Sequence, residues 1–268
     1  MFRYFLYILL ALSITLVPSI GGTAEELHAI KDKAPASRMY ERAVEFFTKK
    51  FPETFRERLA NSGKYIDMIT DIFSEKGIPT ELAYLPFIES GFSPFSVSPN
   101  GGTVGLWQFV TSTAKRYGLR IDPYVDERKD PVKSTEAAAQ YLSDLYSNFG
   151  AWDLAVAAYN AGEGRMRGVR DIYRSKSTPT ITKHYLPKLM AVITVVNDLE
   201  RYGFELDNEM MEGEPDCREV TTRGPVALRA LARRYNTTSG ELKLLNPALL
   251  TDSTPPYRYT ICVPVASN

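Results

Sequence analysis

Apolar residues recur at spacings of three and four along most of the chain, the period that places them on one side of an α-helix. Between residues 25 and 75 the pattern is charged and helical, with Tyr40, Val44, Phe46 and Phe47 marking an amphipathic helix that packs ahead of the main domain. Pro79-Thr80-Glu81 reads as a helix entry, after which Leu82, Leu85 and Glu89 share one face, and Pro86 inside the segment bends it. Residues 91 to 106 are rich in Gly, Ser, Pro and Asn and predict a long loop. A further helix is expected to open at Ser134, to carry Ala138, Tyr141, Leu142, Leu145 and Phe149 on one stripe, and to stop at Gly150. Trp152 to Asn160 predicts a short helix ending at Gly162, and Leu186, Leu189, Met190, Ile193 and Val196 mark a last long one. To this point the chain reads as helical throughout.

The pattern changes after residue 204. Glu205, Asp207, Glu209, Glu212, Glu214 and Asp216 make residues 205–216 an acidic connector without basic residues. Beyond it the alternation around Val220, the helical spacings of Leu228, Leu231, Ala232, Leu242 and Leu245, and the β-like run Tyr259 to Val265 give the order strand, helix, helix, strand. At the other end Met1-Phe2-Arg3, an apolar run from Tyr4 to Val17 and the small residues Gly22-Thr23-Ala24 form the pattern of a signal peptide over residues 1–24. The divisions are therefore 1–24 signal peptide, 25–75 helical segment, 76–204 main domain, 205–216 acidic linker and 217–268 small module.

Charge and cysteine use narrow the function classes. The 268 residues carry 32 basic and 32 acidic side chains, and loss of residues 1–24 would remove only Arg3, so a nucleic acid is not an expected partner. Cys217 and Cys262 are the only cysteines, and in an exported protein they are expected to form a disulfide. Two histidines, His28 and His184, do not supply a metal site of the usual count, and no phosphate loop or dinucleotide fingerprint occurs, so no metal or cofactor is expected. Asp122, Asp126, Glu127, Arg128, Lys129 and Asp130 read most simply as a salt-bridged loop, with a second catalytic carboxylate among its acids as the alternative.

The candidate for chemistry is Glu89. A carboxylate on an apolar helix face beside a polar loop would be desolvated, which raises its pKa toward the range of a proton donor. Gln108, Tyr159 and Asn160 suit sugar hydroxyls and acetamido groups, and Trp107, Phe109 and Trp152 offer ring faces, although buried tryptophans are at least as often core.

Three blocks in order carry a family resemblance: Leu85-Pro86-Phe87-Ile88-Glu89-Ser90, Gly105-Leu106-Trp107-Gln108-Phe109 and Ala158-Tyr159-Asn160-Ala161-Gly162-Glu163-Gly164. Over roughly residues 75 to 203 the chain resembles the lysozyme-like lytic transglycosylases of the soluble and membrane-bound D type. The resemblance implies a mainly α, lysozyme-like catalytic domain acting on the glycan strands of peptidoglycan, with Glu89 as sole catalytic acid and base. It further implies that Ser98, Gln108, Phe109, Tyr159, Asn160 and Tyr185 line the saccharide cleft and that Ser90 orients the end of the glutamate's helix. The product would be a 1,6-anhydro-muramyl end formed with help from the substrate's N-acetyl group. A hydrolytic muramidase and a non-catalytic glycan-binding scaffold are the alternatives. Two departures stand out: the loop from Ser98 to Gly105 is a residue longer than usual, with Thr103 in place of a small alanine, and Ile181 replaces a frequent glutamate.

The tail resembles a degenerate LysM module, a small α/β unit of order βααβ, through Leu231-Ala232-Arg233-Arg234-Tyr235-Asn236, Leu245-Asn246-Pro247 and Cys262-Val263-Pro264, with Gly224-Pro225-Val226 replacing the usual start. That likeness would put the two cysteines on paired strands and give the tail affinity for N-acetylglucosamine-containing glycans. The implied setting is the periplasm, in association with the cell wall or membrane, where other cell-wall enzymes are the available protein partners. The sequence leaves the oligomeric state open.

Overall fold

In the computed structural model, residues 36–205 and 217–265 are described; the expected signal peptide and most of the acidic linker lie outside them. The helical period at the N-terminal end resolves into three helices, α1 (Ala36–Glu45, continued by a π-helical turn Phe46–Lys50), α2 (Pro52–Gly63) and α3 (Ile66–Glu75). These helices share the main core: Phe47, Phe55, Ile69 and Phe73 are buried in the same cluster as Leu85, Trp107, Leu142 and Leu189. Phe55 lies 4.9 Å from the Phe87 ring and 4.7 Å from the Phe204 ring, so the segment is knit to both ends of the domain it precedes.

Pro86 divides its helix instead of bending it. A 3₁₀ turn over Thr80–Tyr84 hands over to α4 (Leu85–Glu89), in which Pro86 falls in the first turn, where its missing N–H leaves no bond unmade. The expected long loop contains structure: β1 (Thr103–Val104) pairs antiparallel with β2 (Phe109–Val110), and Val97 forms a bridge to Val104. A short α5 (Thr111–Arg116) follows, a helix the apolar pattern does not announce.

The long α6 runs Pro131–Phe149, starting three residues before Ser134 because the Asp130 carboxylate caps it by accepting from the Lys133 N–H and Pro131 occupies the first turn. Gly150 ends it in the left-handed conformation, φ 72°. Then come α7 (Trp152–Ala161), α8 (Glu163–Met166) and α9 (Thr180–Val196). Helix α9 begins six residues before Leu186 and tolerates Pro187 in its interior. Its buried face of Leu186, Leu189, Met190 and Ile193 packs in the core, with α1 and α7 as neighbours. Among the described residues no helix is long and apolar enough to cross a membrane.

Residues 217–265 form β3 (Cys217–Thr222), α10 (Leu228–Arg234), α11 (Ser239–Leu245) and β4 (Tyr259–Pro264). The strands are antiparallel, with Glu219 opposite Cys262 and Cys217 opposite Pro264. Cys217 and Cys262 are thus diagonal neighbours and are disulfide-bonded, their Cα atoms 5.6 Å apart. Asn246 fastens α11 to β4: its amide donates to the Leu242 and Cys262 carbonyls and accepts from the Cys262 N–H, each at 2.7 Å. Leu228, Leu231, Leu242, Leu249, Ile261 and Val263 make a second core, completed by one residue of the larger unit, Val125.

Candidate active site

Glu89 is the last residue of α4, and several contacts fix that helix end. Helix carbonyls at a C-terminus lack intrahelical donors. Here Arg58 Nη1 donates to the Phe87 carbonyl at 2.9 Å and Asn61 Nδ2 to the Gly91 carbonyl at 3.1 Å, both reaching over from α2. The Ser90 hydroxyl donates to the Leu106 carbonyl at 2.8 Å, tying the glutamate's exit to the turn before Trp107. The chain then reverses through two consecutive left-handed residues, Gly91 (φ 63°) and Phe92 (φ 57°). Phe92 holds that unusual conformation with its ring fully buried in the core.

Beside this helix end lies a cleft of about 350 Å³ lined by Glu89, Thr103, Gln108, Phe109, Val110, Thr113, Tyr141, Tyr159, Asn160, Ala161 and Gly162. Four segments meet there: α4, the β1–β2 hairpin with the first turn of α5, α6 and the end of α7. Among the described residues, Glu89 is the only carboxylate on the cleft wall. It keeps part of its surface open, yet the protein packed around it desolvates the carboxyl and lifts its pKa from 4.5 to about 7. The Tyr185 hydroxyl donates to Glu89 Oε1 and opposes that rise by favouring the charged form.

The polar residues around it divide into those facing the cleft and those holding it in shape. Asn160 Oδ1 accepts from Thr182 Oγ1 at 2.8 Å, an arrangement that leaves the amide hydrogens for a ligand. The Tyr159 hydroxyl donates to the Trp107 carbonyl at 2.7 Å, so its phenol braces the wall and presents its oxygen only as an acceptor. Gln108 stands at φ 48° and its amide is engaged within the hairpin: it accepts from Thr103 Oγ1 at 2.7 Å and donates to the carbonyls of Gly105 at 2.8 Å and Ser96 at 3.3 Å. Phe109 sets its ring against Tyr141 and Tyr159, with centroids 6.4 and 6.5 Å away.

Of the residues singled out in the sequence, Glu89, Gln108, Phe109, Tyr159 and Asn160 meet at one cleft. Tyr185 stands behind the glutamate as its hydrogen-bond partner and is not on the lining. Ser90 and Ser98 are also off the wall. The first is turned toward backbone carbonyls, while the Ser98 hydroxyl donates to Asn100 Oδ1 and accepts from the Thr103 N–H, closing the turn that leads into β1. Trp107 and Trp152 are fully buried and form no ring platform. Trp107 Nε1 donates to Thr135 Oγ1 at 3.0 Å, and the Trp152 ring stacks on Tyr146 at 4.5 Å. The sequence does not mark Tyr141 and Thr113, which also line the cleft: Tyr141 shares its helical stripe with core positions, and α5 has no apolar periodicity to place Thr113.

The segment that builds this cleft is also the part of the chain that is similar to known proteins. Residues 71–181 match the family described as Transglycosylase SLT domain. That SLT match contains Glu89 and every residue of the cleft wall. A membrane-bound lytic murein transglycosylase D of Escherichia coli strain K12 is 34% identical over 192 residues, which cover 68% of this chain and 42% of that protein. A membrane-bound lytic murein transglycosylase F of Maricaulis maris is 37% identical over 97 residues, 33% of this chain and 20% of that protein. The chain thus spans less than half the length of these relatives. A solved lytic transglycosylase from Pseudomonas aeruginosa, an inactive mutant, aligns over 50% of this chain and 24% of its own with TM-score 0.40 and 20% identity. The SLT match ends before the C-terminal module, whose description rests on its own strands and helices.

Proposed function

We propose that the protein is a lytic transglycosylase that cleaves the β-1,4 bond between N-acetylmuramic acid and N-acetylglucosamine in peptidoglycan, leaving 1,6-anhydro-muramyl ends. The observation that carries this reading is the single cleft carboxyl with a pKa of about 7, a value suited to giving a proton and then taking one. Protonated Glu89 donates to the glycosidic oxygen as the C1–O bond breaks. The acetamido group of the same sugar stabilises the cation at C1, so no second protein carboxylate is required. The C6 hydroxyl then attacks C1 and its proton passes to the Glu89 carboxylate, restoring the acid with no water consumed. Asn160 offers amide hydrogens to the substrate, and Phe109 forms the apolar wall.

The βααβ tail is proposed to be a LysM-like module with affinity for the glycan, and residues 1–24 a signal peptide that takes the protein to the periplasm. Mass spectrometry of material released from purified sacculi tests the central claim. Anhydro-muramyl ends from the wild type, absent with Glu89→Gln, support it. Reducing ends would identify a hydrolase of the same fold, and no release by the wild type would leave a binding protein.

A further inference from the structure

The tail module is built onto the segment that supports the cleft. Val125 leaves the helical core and is fully buried among Leu228, Leu242, Leu249 and Ile261. Its backbone forms an antiparallel bridge with Leu249: the Asp126 N–H donates to the Ala248 carbonyl and the Leu250 N–H to the Tyr124 carbonyl, both at 2.9 Å. The Tyr257 hydroxyl donates to Asp122 Oδ2 at 2.5 Å, and the Arg120 guanidinium lies 4.3 Å from the Tyr257 ring centre. Lys133 sits over Tyr259 at 4.6 Å while binding Glu127 Oε1 at 2.5 Å. A buried side chain, a pair of backbone bonds and aromatic–cation contacts in one place describe a fixed joint, not a passing contact of two tethered units.

The residues next in the chain hold the cleft. Asp126 and Arg128 form a buried two-bond pair, Nε to Oδ1 at 2.9 Å and Nη2 to Oδ2 at 2.7 Å. Arg128 Nη1 donates onward to the Phe109 carbonyl at 3.2 Å and the Thr111 hydroxyl at 3.3 Å. The backbone carbonyl of Arg128 presses on Gly105 so closely that a Cβ there would lie 1.8 Å from it. Gly105 to Phe109 is the turn that delivers Gln108 and Phe109 to the cleft.

We propose that the C-terminal module is a brace for the cleft, with Arg128 as the positioning residue. The module's grip on Tyr124–Asp126 fixes the Asp126–Arg128 pair, and that pair fixes the Gly105–Phe109 turn. The identity of the cleft as a substrate site rests on the function proposed above, whereas the mechanical coupling does not.

The test is Val125→Asp in the full chain, which places a charge in the joint and leaves the module's own sequence intact, with Val125→Ile as its conservative control and Arg128→Lys as the direct lesion. Hydrogen exchange at the amides of residues 103–110 is expected to quicken by about tenfold or more in Val125→Asp and Arg128→Lys while α9 stays protected, and to remain normal in Val125→Ile. On soluble glycan oligosaccharides KM is expected to rise about fivefold or more in the same two variants, with the pH limb set by Glu89 unmoved. Normal exchange at 103–110 in Val125→Asp would overturn the brace, whatever Arg128→Lys does. So would loss of binding to sacculi alone, which would make the module a tether. If Val125→Asp also deprotects α9, Leu249→Ala, which loosens the joint from the module's side, decides by the same two readings. A wild type without turnover would count against the proposed function, and the exchange data would still judge the coupling.

Discussion

The Tyr185 hydroxyl donates a hydrogen bond to Glu89 Oε1 across 96 residues of sequence, from the second turn of α9 to the end of α4. Burial raises the carboxyl and this bond lowers it, leaving the group at about 7. Tyr185→Phe removes the lowering influence and keeps the ring. The alkaline limb of the kcat profile should then move to higher pH, with kcat near pH 6 lower by about tenfold through lost orientation of the carboxyl. A limb that stayed in place or moved down would mean that the tyrosine does not act on the catalytic proton.

Glu89→Gln keeps the shape of the side chain and removes its proton. Turnover should fall by about a thousandfold or more, with the helical circular dichroism signal unchanged. Residual activity near the wild-type level would assign the acid to another group.

The same substitution carries a stability signature. A folded-state pKa raised from 4.5 to about 7 means that the folded state holds a proton the unfolded chain has released. Wild-type stability therefore declines as pH rises from about 4.5 to about 7 and is level again above that. The full shift corresponds to about 3 kcal/mol, and partial exposure of Glu89 to the cleft reduces it to roughly 1–2 kcal/mol. Denaturant titrations should show Glu89→Gln gaining on the wild type by this amount between pH 4 and pH 8; parallel curves would refute the desolvation.

Gly105→Ala should destabilise by about 3 kcal/mol or more, because φ is 84° and the new Cβ would lie 1.8 Å from the rigid Arg128 carbonyl. Gly101→Ala is the matched control: its φ is 69°, but nothing lies within 4 Å, so it should cost only about 1 kcal/mol of backbone strain. Equal midpoints for the two variants would deny the close contact.

Opening the Cys217–Cys262 bridge releases a loop of sequence separation 45, worth up to about 4 kcal/mol by chain entropy. The double variant Cys217→Ser/Cys262→Ser should lower the thermal midpoint of the β3–β4 unit more than that of the helical core, read by exchange at Ile261 and at Leu189. Uniform loss in both would mean that they unfold as one cooperative body.

Periodicity made much of the helical unit legible. The spacing of Ala138, Tyr141, Leu142 and Leu145 located α6, and that of Leu189, Met190 and Ile193 located α9, because a helix that buries one face must repeat apolar residues at its own pitch. The strand–helix–helix–strand order of the tail was legible in the same way. The β1–β2 pair escaped because two-residue strands are too short to alternate, and α5 because it buries only Ala114.

The sequence by itself determined which side chains were available: one glutamate in an apolar setting, the amide and phenol groups of the later motif blocks, and two cysteines in the tail. These follow from local chemistry and spacing, which a linear pattern records. Only the tertiary structure decided their roles. It set Tyr185 behind Glu89, engaged Gln108 and Ser98 within the hairpin, buried Trp107, and carried Val125 into the core of the tail. A hydrogen bond or a burial is a relation between residues far apart in the chain, set by how helices pack, and no periodicity within a single segment encodes it.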